Sequence, residues 1–200
     1  MTVEYLLCRT YRVQAGETVL FYAASGGVGH LAGQWGKHIG ATMIGVTSGP
    51  ENCASILKFG YEYAVDRKSD NIAQRVHEIT DGKGVPVLYD SVGRESFEAS
   101  LNSLSPRGFF ISFGATTGEA PAVTPSQLQH NGSLYFTRPS LANYVGTSEE
   151  LQMSANTVFA LLADGVLDVS INREESLSNI IELHRDLEAG ITTGSTIIIP

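Results

Sequence analysis

Residues 22–30 read YAASGGVGH, from Tyr22 to His30, and the fold turns on how this stretch is understood. An apolar run of strand length, Thr18 to Ala23, stops at Gly26, Gly27 and Gly29, after which the apolar residues recur at helical spacing. Glycine inside a regular element costs about 0.5–1 kcal/mol relative to alanine, so three within four residues mark a backbone shaped for close approach. The order strand, glycine turn, helix places unpaired N–H groups and the positive end of a helix dipole at one point, which suits a pyrophosphate. The dinucleotide pattern GxGxxG aligns with Ala24 to Gly29, with alanine in the first glycine position.

Outward from this turn, strand-length apolar runs alternate with helix-length amphipathic ones. Strands are expected at Thr18–Ala23, Thr42–Thr47, Tyr63–Asp66, Val85–Asp90, Gly108–Phe113 and Ser133–Thr137, and helices at Val28–Ile39, Glu51–Phe59, Asp70–Thr80, Glu95–Leu104 and Pro125–His130. Runs such as TVLFYAA and GFFISFG are apolar throughout, as strands buried on both faces of a parallel sheet must be. The expected fold is α/β, a doubly wound parallel sheet of six strands. In the first helix Val28, Leu31, Ala32, Trp35 and Ile39 share one stripe, which predicts that Trp35 is core. Thr147 and Glu150 have capping-box spacing for a helix running to about Ala163 and ending at Asp164-Gly165. A further helix is expected from Leu177 to Glu188, and STIIIP closes the chain as a strand.

The 200 residues are 42% apolar and 17% charged, ordinary for a globular chain, and the formal charge of -8 is spread without blocks of like sign. That distribution argues against a nucleic-acid surface. No stretch approaches the roughly 18 apolar residues of a membrane span, and the start lacks the pattern of a secretory leader. Cys8 and Cys53 stand apart without a partner motif, so a reducing compartment, the cytoplasm, is expected. The five histidines show no ligand spacing, and His184 shares a helical face with Leu177, Ile180, Ile181 and Leu187, which predicts a packed side chain.

NAD-preferring sites carry an Asp or Glu about 20 residues after the glycines, where it binds the ribose 2′-hydroxyl. Here the second strand ends Val46-Thr47-Ser48-Gly49. Without a carboxylate there is no repulsion against a 2′-phosphate, and the hydroxyls of Thr47 and Ser48 are available donors, which favours NADPH. Arg67 is the nearest cation for the adenosine ribose, with a solvated loop arginine as the alternative. A P-loop, a TyrxxxLys pair and a GxSxG elbow are all absent. A dinucleotide-dependent oxidoreductase, or its cofactor-binding half, remains.

The stretches YAASGGVG, QWGKHIGATMIGVT, EITDGKGVPVLYDSVG, FFISFGATTG and SLYFTRPSL together resemble the quinone oxidoreductases of the zeta-crystallin type. These form part of the zinc-independent branch of the medium-chain dehydrogenase/reductase superfamily, and the resemblance runs over essentially the whole chain. It implies a dinucleotide-binding domain over residues 1–167 and a segment, 168–200, that returns to a GroES-like catalytic domain not contained in these residues. It implies NADPH contacts at Tyr5, at Gly26, Gly27, Val28 and Gly29 for the pyrophosphate, and in the loop from Ser48 to Asn52. Further contacts are implied at Ser91, at Phe113, Gly114, Ala115 and Thr116 near the nicotinamide, and at Pro139, Ser140 and Leu141. Three positions depart from the family: its NADPH-binding lysine falls at Asn52, a tyrosine near the adenine at Arg67, and an arginine near the C-terminus at Gly190.

The expected activity is reduction of a quinone by NADPH, the cofactor carrying the hydride chemistry, with no catalytic side chain identified in the chain. Reduction of enoyl thioesters or alkenals is a second reading, and a nucleotide-binding protein without turnover a third. The sixth strand, Ser133–Thr137, would lie at the sheet edge with no charge inside Leu134-Tyr135-Phe136, so a homodimer through residues 133–137 is expected.

Overall fold

The computed structural model describes residues 1–169, 171–189, 192 and 195–200. In chain order, α1 (Thr2–Tyr5) continues into a π-helical turn (Leu6–Thr10), followed by β1 (Thr18–Tyr22), α2 (Gly27–Ile39), β2 (Thr42–Thr47) and α3 (Pro50–Ile56). A 3-10 turn (Leu57–Phe59) leads to β3 (Tyr63–Asp66), α4 (Ile72–Ile79), β4 (Val85–Asp90), α5 (Phe97–Leu101), β5 (Leu104–Ser112), α6 (Pro125–His130) and β6 (Tyr135–Thr137). Then come α7 (Leu141–Tyr144), α8 (Ser148–Ala163), β7 (Ile171–Ser176), a 3-10 turn (Leu177–Asn179), α9 (Ile180–Glu188) and β8 (Ser195–Ile199).

The first six strands form one sheet in the order β3-β2-β1-β4-β5-β6, every pair parallel. This is the doubly wound arrangement, whose order reverses between β1 and β4, so a crevice opens at the C-terminal ends of those strands. Alternate residues of each strand feed two separate cores. Val19, Phe21, Met43, Val87 and Tyr89 face the side covered by α1, α2 and α8, while Leu20, Tyr22, Ile44, Val46 and Leu88 face the side of α4 and α5. Burial on both faces explains why these strands read as continuous apolar runs. Trp35 is core, as its stripe predicts, but Val28 at the start of that stripe is exposed.

Several boundaries differ from expectation for local reasons. The helix expected over Glu51–Phe59 tightens to a 3-10 turn and stops where Gly60 adopts φ 90°. The helix expected over Glu95–Leu104 contracts to Phe97–Leu101, because residues 91–96 are drawn into a loop around the Asp90 carboxylate. The edge strand begins at Tyr135 rather than Ser133, since Ser133 is left-handed at φ 59° and the Leu134 N–H returns to the Leu128 carbonyl. The capping box at Thr147 and Glu150 is formed, and α8 runs to Ala163.

Strand β7, Ile-Asn-Arg-Glu-Glu-Ser, carries no apolar alternation and was not legible as a strand. It is held by parallel pairing with β8, the terminal isoleucine run. Contrary to the expected packed face, His184 is exposed, together with Leu177, Ile181 and Leu187. Of this helix only Leu183 is buried, because the rest of the apolar face has no covering element among the described residues.

Candidate functional site

The glycine turn is built by fitting α2 tightly against β1. A Cβ on Gly29 would lie 2.4 Å from the Ala23 carbonyl oxygen, so any side chain there would push helix from strand. Ala23 turns the chain with a left-handed φ of 52°. Ala24, in the pattern's first glycine position, is fully buried, and its methyl group occupies space left by Gly45 of β2, where a Cβ would come within 2.9 Å of it. The departure from GxGxxG is thus accommodated by a second glycine 21 residues on. Gly26 caps α2 without any side-chain cap bond, so no side chain satisfies the first-turn N–H groups at the positive end of the helix.

A cavity of about 170 Å³ lies at the ends of β1, β2 and β4, and it brings together Ser25, Thr47, Ser48, Asn52, Arg67 and Thr116. Thr47 is buried and donates its hydroxyl to Ser25 Oγ at 2.8 Å, so it braces the turn instead of offering that proton to a ligand. Ser48 Oγ accepts from Arg67 Nε at 2.5 Å, and Asn52 Nδ2 donates to the Ser48 carbonyl. The loop after β2 is also tied to β3: Asp66 Oδ1 accepts from the N–H groups of Gly49 and Lys68, which hold its carboxyl below the usual carboxylate range. No acidic side chain lines this cavity, and Arg67 is its one cation among the described residues. The lining suits an anion, and Arg67, Ser48 and Asn52 are the side chains in it that could hold one.

The far wall is the loop after β4. Asp90, fully buried, accepts from the N–H groups of Val92 and Gly93 and from the hydroxyls of Ser96 and Ser100, which fixes the loop in place. Ser91 contributes its carbonyl, which accepts from the Thr116 N–H, and a Cβ on Gly114 would strike the Ser91 backbone. Phe113 packs on Phe21 at 5.5 Å between ring centres. Gly114 and Ala115 open onto a second, larger cavity of about 460 Å³ shared with Phe136, Glu119 and Arg138.

The other expected contacts lie apart from the ribose end. Gly27 and Val28 line a mainly apolar cavity of about 310 Å³ with Leu31, Trp35 and Leu167, and Ser195 of β8 lies over Gly27. Tyr5 is buried and stacked on Tyr144 at 4.6 Å, closed off from all of these cavities. Leu141 packs against the core, while Ser140 caps α7 and Pro139 precedes it. Gly190 lies outside the described residues. Sequence reasoning missed Ser25, Val92, Thr117 and Thr192 as lining residues, although Ser25 and Thr117 stand beside motifs that were read. Among the described residues no group of three or more His, Cys, Asp or Glu side chains could hold a metal ion.

Residues 27–163 match the sequence model of the family described as zinc-binding dehydrogenase. A quinone oxidoreductase of Pseudomonas aeruginosa is 43% identical over 200 residues, covering 100% of this chain and 62% of that protein. A 2-haloacrylate reductase of Burkholderia is 36% identical, with 100% and 60% covered. Among solved structures, the Escherichia coli quinone oxidoreductase complexed with NADPH superposes with a TM-score of 0.96 at 42% identity, covering 100% of this chain and 62% of that one. The chain thus spans about three fifths of the length of these relatives. The resemblance to quinone oxidoreductases carried by YDSVG, SFG and TRPSL is borne out, and the chain belongs to the zinc-binding dehydrogenase family.

Proposed function

We propose that this chain is the NADPH-binding part of an oxidoreductase that reduces a quinone. The observation that carries the reading is its likeness, at 42% identity and over all 200 residues, to a quinone oxidoreductase solved with NADPH. The crevice supports it, because the end of β2 offers no carboxylate while Ser48, Asn52 and Arg67 line the place for a 2′-phosphate. Gly26 to Gly29 bind the pyrophosphate through first-turn N–H groups, and the loops of Ser91, Phe113–Ala115 and Pro139–Leu141 form the nicotinamide end. The bound nicotinamide supplies the hydride; the protein orients it and keeps water from it. Tyr5 then acts behind the site, by bracing Tyr144.

Residues 168–200 act as a segment that returns to a further, catalytic domain, which fits the uncovered apolar side chains of α9 and β8. The protein works as a cytoplasmic homodimer paired through β6. A second reading, reduction of an activated alkene, is favoured by the 36% identity to the 2-haloacrylate reductase. NADPH oxidation by the protein with a panel of quinones and enones distinguishes them: quinone-dependent turnover is expected, enone turnover alone would favour the second reading, and cofactor binding without turnover would point to a non-catalytic role.

A further inference from the structure

We propose that Glu95 competes with the cofactor's 2′-phosphate for Arg67, and so sets how strongly the site prefers a phosphorylated adenosine ribose. This rests on the reading of the crevice as an NADPH site.

Arg67 spans the crevice. Its Nε donates to Ser48 Oγ on the loop after β2, while Nη1 lies 3.6 Å from Glu95 Oε2 on the loop after β4. At that separation the two charges attract without a good hydrogen bond, and their side chains are 44% and 66% exposed. A pair of this kind is easily exchanged. A phosphate monoester near neutral pH carries about −1.5 to −2 charges and three acceptor oxygens, so it is a stronger partner for a guanidinium than one distant carboxylate.

Glu95 nevertheless stays close to Arg67, because its backbone is fixed. The Glu95 N–H donates to Thr117 Oγ1, whose own hydroxyl donates to the Val92 carbonyl, and the Asp90 carboxylate anchors the loop from within. A neighbouring cavity of about 110 Å³ has both Arg67 and Glu95 in its wall. Since Arg67 is the one cation lining either cavity among the described residues, both anions draw on the same charge. A cofactor without the 2′-phosphate does not engage in that competition.

The test uses adenosine 2′,5′-bisphosphate and 5′-AMP as probes of the adenosine end, titrated calorimetrically at low ionic strength. Glu95→Gln keeps the shape of an exposed side chain and the backbone bond to Thr117. It is expected to tighten the bisphosphate by roughly two- to five-fold, the range of exposed charge pairs, and to leave 5′-AMP unchanged. Added salt should shrink the gain. In an Arg67→Gln background the gain should vanish, since nothing is left to compete for. Bisphosphate affinity indifferent to Glu95→Gln, or a gain that persists undiminished without Arg67, overturns the proposal. Failure of the wild type to bind either nucleotide overturns the cofactor reading as well.

Discussion

Tyr61 donates its hydroxyl to the carbonyl oxygen of Gly29 at 2.7 Å, joining the segment before β3 to the first turn of α2. The ring also fills the space beside Gly33, where a Cβ would come within 2.5 Å of it. Tyr61 therefore sets how closely α2 lies on the sheet, and through it the position of the glycine turn. Its burial pushes the phenol well above its ordinary pKa, so the donor is retained at any working pH.

Tyr61→Phe removes that donor while keeping the ring. A net loss of about 1 kcal/mol is expected, the usual contribution of one buried hydrogen bond, read as a lower urea midpoint with unchanged slope. An unchanged midpoint would mean that the Gly29 carbonyl does not depend on Tyr61.

Asp90→Asn tests the wall of the crevice. Asn retains one carbonyl oxygen for donors that now reach both carboxylate oxygens, so at least one buried donor loses its acceptor. The expected cost is roughly 2 kcal/mol. The adenosine end should also bind less tightly, because Val92, Thr116 and Thr117 hang on this loop. Loss of stability with intact affinity would separate the loop from the site.

His30 makes stability depend on pH. It is buried, stacked on Phe59 at 3.8 Å, and burial holds its imidazole below the ordinary 6.5. The unfolded chain takes up a proton near pH 6.5 and the folded chain only at lower pH. The contribution of neutral His30 is therefore complete above about pH 6.5 and is lost as pH falls from there toward the folded value. Tm measured from pH 7.5 downward should decline, and His30→Gln should flatten part of that decline; an identical slope in the variant would assign the dependence elsewhere.

How far the sequence carried the fold depends on where its information is local. Six parallel strands were legible because their cores lie on both faces, and α8 because Thr147 and Glu150 form a cap that is local in sequence. Strand β7 was not, since its pairing with β8 is set from outside and its own residues are mostly polar. The exposed His184 has the same origin, because a stripe shows which side chains want a partner without showing that one is present. In the site, Ser48, Asn52 and Arg67, which the sequence groups around the adenosine ribose, do line one cavity, but Thr116, expected at the nicotinamide end, lines that same cavity because its N–H is held by the Ser91 carbonyl. The use of Thr47 was missed, since its partner, Ser25, lies 22 residues earlier and meets it only in the folded crevice.

The proposed dimer is tested at β6. Tyr135 stacks on Phe109 at 4.4 Å yet remains 55% exposed, on a three-residue strand at the edge of the sheet, where another strand can pair. Light scattering should give a dimer for the wild type and a monomer for Tyr135→Pro. A monomeric wild type at high micromolar concentration would rule this interface out.

The crevice between the loops after β2 and β4 is proposed to hold a 2′-phosphorylated dinucleotide. Fluorescence titration of the protein with NADPH and NADH, alongside Arg67→Ala, tests it most directly. Tighter binding of NADPH is expected, with a preference that weakens as salt is added and falls several-fold in Arg67→Ala, the order of one charge-assisted contact. Tighter binding of NADH, or a preference for NADPH untouched by loss of Arg67, would contradict it.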